Sequence, residues 1–93
     1  MQKWEGDILA KAINKYGVNA QLDMCIEEMS ELTKEICKKK RGRNNIEEIT
    51  EEMADVYIML EQLRMICNID SQMLEIKKFR KLKRLEERLK DDE

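Results

Sequence analysis

Between residues 2 and 16 the apolar side chains recur as Trp4, Ile8, Leu9, Ala12, Ile13 and Tyr16, a spacing that holds them on one helical face while Lys3, Glu5, Lys11 and Lys15 fall elsewhere. Gly17 follows the last of them, where a left-handed residue commonly stops a helix, so a first helix ending near Tyr16 is predicted. A second periodic run covers residues 19 to 40, with Asn19 or a neighbour as its cap. Its expected buried stripe is Leu22, Cys25, Ile26, Met29, Leu32, Thr33 and Ile36. Lys38, Lys39, Lys40 and Arg41 close it with charge that suits the negative end of the helix dipole, and Gly42 breaks it. A third helix is predicted from Ile46 to Ile66 with Ile46, Ile49, Met53, Val56, Tyr57, Leu60 and Leu63 as its stripe, and Asn45 with Glu48 has the form of a capping box. After Asn68, Asp70 or Ser71 can cap a fourth helix, in which Met73, Ile76, Phe79, Leu82, Leu85 and Leu89 continue at spacings of three or four.

The chain has no Pro and three Gly among 93 residues, with 42% hydrophobic and 41% charged content, which supports one all-α domain over residues 1–93. The short turn at Arg43–Asn45 makes the second and third helices antiparallel neighbours, a central hairpin. A chain this small buries little surface alone, so an oligomeric bundle is expected. No apolar run reaches the ~20 residues of a membrane span and no signal-peptide pattern opens the chain, so no membrane and a cytoplasmic location are expected. Cys25, Cys37 and Cys67, odd in number and without a C-x-x-C pair, read as reduced thiols.

Charge divides the chain further. The net charge of -2 argues against a nucleic-acid partner, yet Lys77, Lys78, Arg80, Lys81, Lys83 and Arg84 crowd the fourth helix while acids dominate residues 27 to 55. With no His there is no Ser-His or Cys-His nucleophile and no His-ligated metal, and three scattered Gly make no phosphate-cradling loop. Carboxylates and a hard cation must carry any chemistry. Trp4 and Tyr16 could stack on a base, although such residues more often serve a core or an interface.

The carboxylates are patterned. Ile26-Glu27-Glu28-Met29-Ser30-Glu31-Leu32 returns 24 positions later as Thr50-Glu51-Glu52-Met53-Ala54-Asp55-Val56. At about 100° per residue, Glu28 and Glu31 lie near 240° and 180° from Leu22, and Glu52 and Asp55 lie at about the same angles from Ile46. With the turn centred near residue 43 the two pairs differ in height by about 4.5 Å, less than one turn, so the four acids can converge. Clustered carboxylates raise one another's pKa, a cost that Mg²⁺ or Mn²⁺ removes, and oxygen-only ligation favours such ions over zinc. The plainer reading is a solvated acidic face, neutralised by Lys34, Lys38 and Lys39 as intrahelical ion pairs.

Glu27-Glu28-Met29-Ser30-Glu31, then 20 residues, then Glu52-Met53-Ala54-Asp55, resembles the E-E-x-x-E, spacer, E-x-x-D signature of the MazG-like all-α nucleoside triphosphate pyrophosphohydrolases. Tyr16-Gly17, Gln21-Leu22-Asp23-Met24 and Ala54 to Leu63 are similar to short phage-type or Firmicute-type members, and the likeness spans roughly residues 12 to 89. The resemblance implies a four-helix fold assembled as a homodimer or homotetramer, and Mg²⁺ held by Glu28, Glu31, Glu52 and Asp55. It implies that Glu27 orients or deprotonates water, and that Lys81 and Arg84, with Lys78 as a rival register, meet the phosphates of a nucleoside triphosphate. The implied reaction releases pyrophosphate and the monophosphate. Two other readings stay open: a helical interaction module without catalysis, and a nucleotide-binding regulator that hydrolyses poorly.

Overall fold

The computed structural model describes residues 2–92, which form four α-helices and, among the described residues, no strand. They are α1 (Lys3–Tyr16), α2 (Val18–Lys40), α3 (Ile46–Ile66) and α4 (Ser71–Asp91). Glycine ends α1 as expected. Gly17 stands at φ 92° and ψ 157°, a region open almost only to glycine, and its N–H donates to the Ile13 carbonyl at 2.9 Å. The same residue serves as the N-cap of α2, so that helix starts at Val18 with no side-chain cap, and Asn19, expected as its cap, lies inside the first turn.

The two later turns share one design. After α2, Gly42 at φ 90° sends its N–H to the Lys39 carbonyl, and Arg43 N–H reaches the Lys38 carbonyl. After α3, Asn68 at φ 54° donates to Met65 and Ile69 donates to Arg64. This pair of bonds is the Schellman arrangement, which satisfies the last carbonyls while reversing the chain. Arg64 braces the second turn, holding Glu61 at 2.6 Å and the Ile69 carbonyl at 3.0 Å. Asp70 caps α4, accepting from Gln72 N–H at 2.9 Å.

Antiparallel α2 and α3 form the main packed pair, and α1 lies against both. The side chains between them differ from the expected stripes. Cys25 and Met59 are buried, but so are Gln21, Glu35, Asn45 and Gln62, and Leu9 is the apolar side chain that α1 buries. Ile26, Met29 and Ile36 of α2, and Ile46, Met53, Tyr57 and Leu60 of α3, all expected inside, are exposed. The capping box also fails to form: Asn45 is the N-cap of α3, but its side chain turns across to α2 and makes no cap bond. The helix α4 buries none of its residues and packs extensively against no other helix. No helix among the described residues is long and apolar enough to cross a membrane.

Candidate metal centre

Three of the expected acids meet where α2 faces α3. Glu28, Glu52 and Asp55 each place a carboxylate oxygen so that all three lie within 4.8 Å of one another. Asp55 sits one turn beyond Glu52 on the same side of α3, and Glu28 comes from the opposite helix. Hairpin register brings them level: Glu28 with Glu52 and Glu35 with Asn45 are pairs both centred on residue 40, three positions before the expected centre. That shift levels Glu28 with Glu52 and leaves Glu31 and Asp55 on opposite sides of that level, Glu31 toward the turn and Asp55 away from it.

The electrostatics are those of an uncompensated cluster. Partial burial raises the Glu28 carboxyl above its ordinary 4.5, and the charges of Asp55, Glu52 and Glu27 raise it further. Glu52 is raised first by burial, then by Asp55, Glu31, Glu35 and Glu51. Its Oε2 is buried without a hydrogen-bond partner. No lysine or arginine among the described residues forms an ion pair with Glu28, Glu52 or Asp55.

These donors fit a hard divalent cation. All are carboxylate oxygens, one is buried and unpartnered, and two oxygens flanking a cation at 2.1–2.4 Å stand about 4.2–4.8 Å apart. Exposed acidic groups also cluster without ions; here the half-buried Glu28 and Glu52 distinguish the site from a solvated face.

The other expected residues are placed differently. Glu31 is near enough to raise Glu52, but its own carboxylate lies 3.5 Å from Lys34 Nζ, outside the triad. Glu27 is exposed beside Glu28. On α4, Lys81 and Arg84 line a shallow basic groove of about 140 Å³ with Lys77 and Arg80, while Lys78 pairs with Glu75 at 3.4 Å. Within one chain that groove and the acids are not brought together, because α4 does not fold back onto the hairpin.

Two features went unread in the sequence. One is the buried Glu35–Asn45 pair, whose signal was an Asn at the turn opposite an acid on the inner face of α2. The other is an apolar groove of about 340 Å³ between Trp4, Ile8 and Leu9 of α1 and Ile58 of α3, one turn beyond Asp55. Trp4 and Tyr16 are exposed, which removes them from the core.

Compared with known protein families, with characterised proteins and with solved structures, the chain shows no match to any. The likeness to the MazG-like enzymes therefore rests on the paired acidic motif and its flanks.

Proposed function

We propose that this chain is a Mg²⁺-dependent nucleoside triphosphate pyrophosphohydrolase of the MazG-like kind. The observation that carries the reading is the convergence of Glu28, Glu52 and Asp55 from two helices, with a buried, unpartnered oxygen among them. Intrahelical pairs would explain acids lying along one helix; they do not account for carboxylates from α2 and α3 held together without a cationic side chain.

Glu28, Glu52 and Asp55 would hold the ion, and Glu31 could join them by releasing Lys34. A bound Mg²⁺ neutralises polyphosphate charge and makes water a better nucleophile near neutral pH. Glu27, exposed next to Glu28, can orient a water by accepting its hydrogen bond, and can take its proton as the oxygen attacks phosphorus. The groove walled by Trp4, Ile8, Leu9 and Ile58 offers a flat aromatic surface suited to a base or sugar, and Ile58 lies one helical turn beyond Asp55. Cytoplasmic nucleotide-pool control is the role that follows.

The test is pyrophosphate release from a panel of canonical and deoxy nucleoside triphosphates with Mg²⁺ or Mn²⁺, comparing wild type with Glu52→Gln. Pyrophosphate and monophosphate in equal amounts, lost in the variant, are expected. Turnover unchanged in Glu52→Gln, or absent from wild type across the panel, rejects the reading.

A further inference from the structure

An acid lines the apolar groove between α1 and α3. Trp4, Ile8 and Leu9 of α1 and Ile58 of α3 wall its volume of about 340 Å³, and Glu5 is the charged residue among them. At about 100° per residue from Trp4, Ile8 stands near 40°, Glu5 near 100° and Leu9 near 140°, so Glu5 lies between apolar neighbours on the face that looks toward Ile58. The residue is half-buried. Among the described residues it forms no ion pair, and its carboxylate accepts no hydrogen bond.

The other side chains of the groove supply no donor. The indole N–H of Trp4 is already engaged, donating to Gln2 Oε1 at 2.9 Å. That bond fixes the ring, which is 59% exposed and offers its face to a ligand. Ile8, Leu9 and Ile58 carry no polar side-chain atom, and an ionised carboxylate accepts without donating. A planar molecule stacked on Trp4 is therefore selected by the donors along its edge.

The nucleobases differ sharply in that respect. Guanine carries N1–H and its N2 amino group side by side, a pair that meets both oxygens of a carboxylate as the arginine fork does. Adenine and cytosine each set one amino group next to a ring-nitrogen acceptor. Uracil and thymine hold a single N3–H between two carbonyls, both of which a carboxylate repels.

We infer that Trp4 and Glu5 make this groove a guanine subsite, so that guanine nucleoside triphosphates are the preferred substrates. The reaction in this inference rests on the pyrophosphohydrolase reading, whereas the binding of the base does not. Ile58 stands one helical turn beyond Asp55, which puts the groove and the acids on neighbouring turns of α3. Stacking on Trp4 tolerates every base, since each has a π-face, and Glu5 supplies the discrimination. A bidentate match of this kind favours the right base by about tenfold or more. Water reaches the half-buried Glu5 and competes with the base, which keeps the ratio far below the ~10⁴ of a site built around buried polar groups.

Nuclear magnetic resonance of the full chain tests it, because Trp4 is the only tryptophan and its indole N–H gives a single resonance. The probes are guanosine, adenosine, cytidine and uridine monophosphates with Mg²⁺, which hold no phosphoanhydride bond to hydrolyse. The Trp4 resonance is expected to move, with a dissociation constant for the guanosine compound at least about tenfold below that for the uridine compound. Glu5→Gln exchanges one acceptor for a donor, which suits the edge of uracil, and should erase that difference while helical circular dichroism stays as in wild type. Pyrophosphate release should follow the same order, with the preference for guanosine over uridine triphosphate residing in KM. Equal dissociation constants for the four bases, a Trp4 resonance that moves with none of them or only with protein concentration, or a guanine preference kept by Glu5→Gln overturns the inference. The two readings fail separately. Hydrolysis of all four triphosphates with one kcat/KM rejects the guanine subsite and leaves the enzyme, whereas guanine-selective movement of Trp4 without pyrophosphate from any triphosphate rejects the enzyme and leaves the subsite.

Discussion

Asn45 reaches across the α2–α3 turn to Glu35, donating through Nδ2 to the carboxylate at 2.9 Å and to the main-chain carbonyl at 3.0 Å. Both residues are buried, and Lys38 Nζ completes the carboxylate's partners at 3.0 Å. The clamp ties the end of α2 to the residue that starts α3. It thereby sets the register in which, two turns away, Glu28 stands level with Glu52.

Removing the clamp should cost stability and then metal affinity. Asn45→Ala deletes both hydrogen bonds and is expected to lower the melting temperature by roughly 5–10 °C. Asn45→Asp should be worse at pH 7, because it sets a carboxylate against that of Glu35. Thermal melts across pH check the distinction: the extra loss in Asn45→Asp should shrink as the solution is acidified. Equal melting of both variants at pH 7 would mean that Asn45 only fills space.

Acid stability should show two opposing slopes. The hydrogen bonds of Asn45, then Lys38, hold the Glu35 carboxyl below its ordinary 4.5. Its contribution to stability is therefore complete above 4.5 and is lost as pH falls through the folded value. Glu28 and Glu52 are raised above 4.5, so their ionised forms oppose folding at neutral pH, and that opposition is relieved as pH falls through their folded values. Metal-free wild type should gain stability as pH falls from neutrality through the folded values of Glu28 and Glu52 toward 4.5, and lose it as pH falls on through the folded value of Glu35. Calorimetry of Glu52→Gln should weaken the upper slope, and of Glu35→Gln the lower.

A metal site predicts that one substitution changes sign with Mg²⁺. In chelator, Glu52→Gln relieves repulsion within the triad and should melt at or above the wild-type temperature. With free Mg²⁺ about a hundred times Kd, wild type should gain roughly 10 °C and the variant little. Parallel responses in the two proteins would leave the acids without a bound ion.

Helix limits were legible because their signals are local. Gly17, Gly42 and Asn68 take positive φ at the predicted stops, and α3 runs over the predicted Ile46–Ile66. The buried faces were misread because periodicity locates an apolar stripe without saying what covers it. In this chain the polar Gln21, Glu35 and Gln62 are buried between helices, while Met29 and Tyr57 face outward. Three of the four expected acids meet because the observed contact is rotated toward them: equal angles put Glu28 and Glu52 on the same side of two antiparallel helices, and the burial of Gln21, Glu35 and Gln62 turns that side inward. Asn45 was read as a local cap, and only the folded hairpin shows its longer reach to Glu35. The placement of α4 was equally hidden, because it depends on a turn built by Arg64, Asn68 and Ile69.

The same substitution at two glycines should have opposite effects. Gly6 lies inside α1 with nothing within 4 Å of an added Cβ, so Gly6→Ala supplies helix propensity and reduces the freedom of the unfolded chain. It should stabilise by about 0.5–1 kcal/mol. Gly17 also has open space around an added Cβ, but its φ of 92° with ψ 157° is strained for any other residue. Gly17→Ala should therefore cost about 1–3 kcal/mol through backbone strain alone, with no crowding to relieve by repacking. Urea unfolding of both variants checks this. If Gly17→Ala is neutral, the α1–α2 junction tolerates another backbone path, and the seating of Leu9 and Trp4 beside Ile58 would no longer depend on this turn.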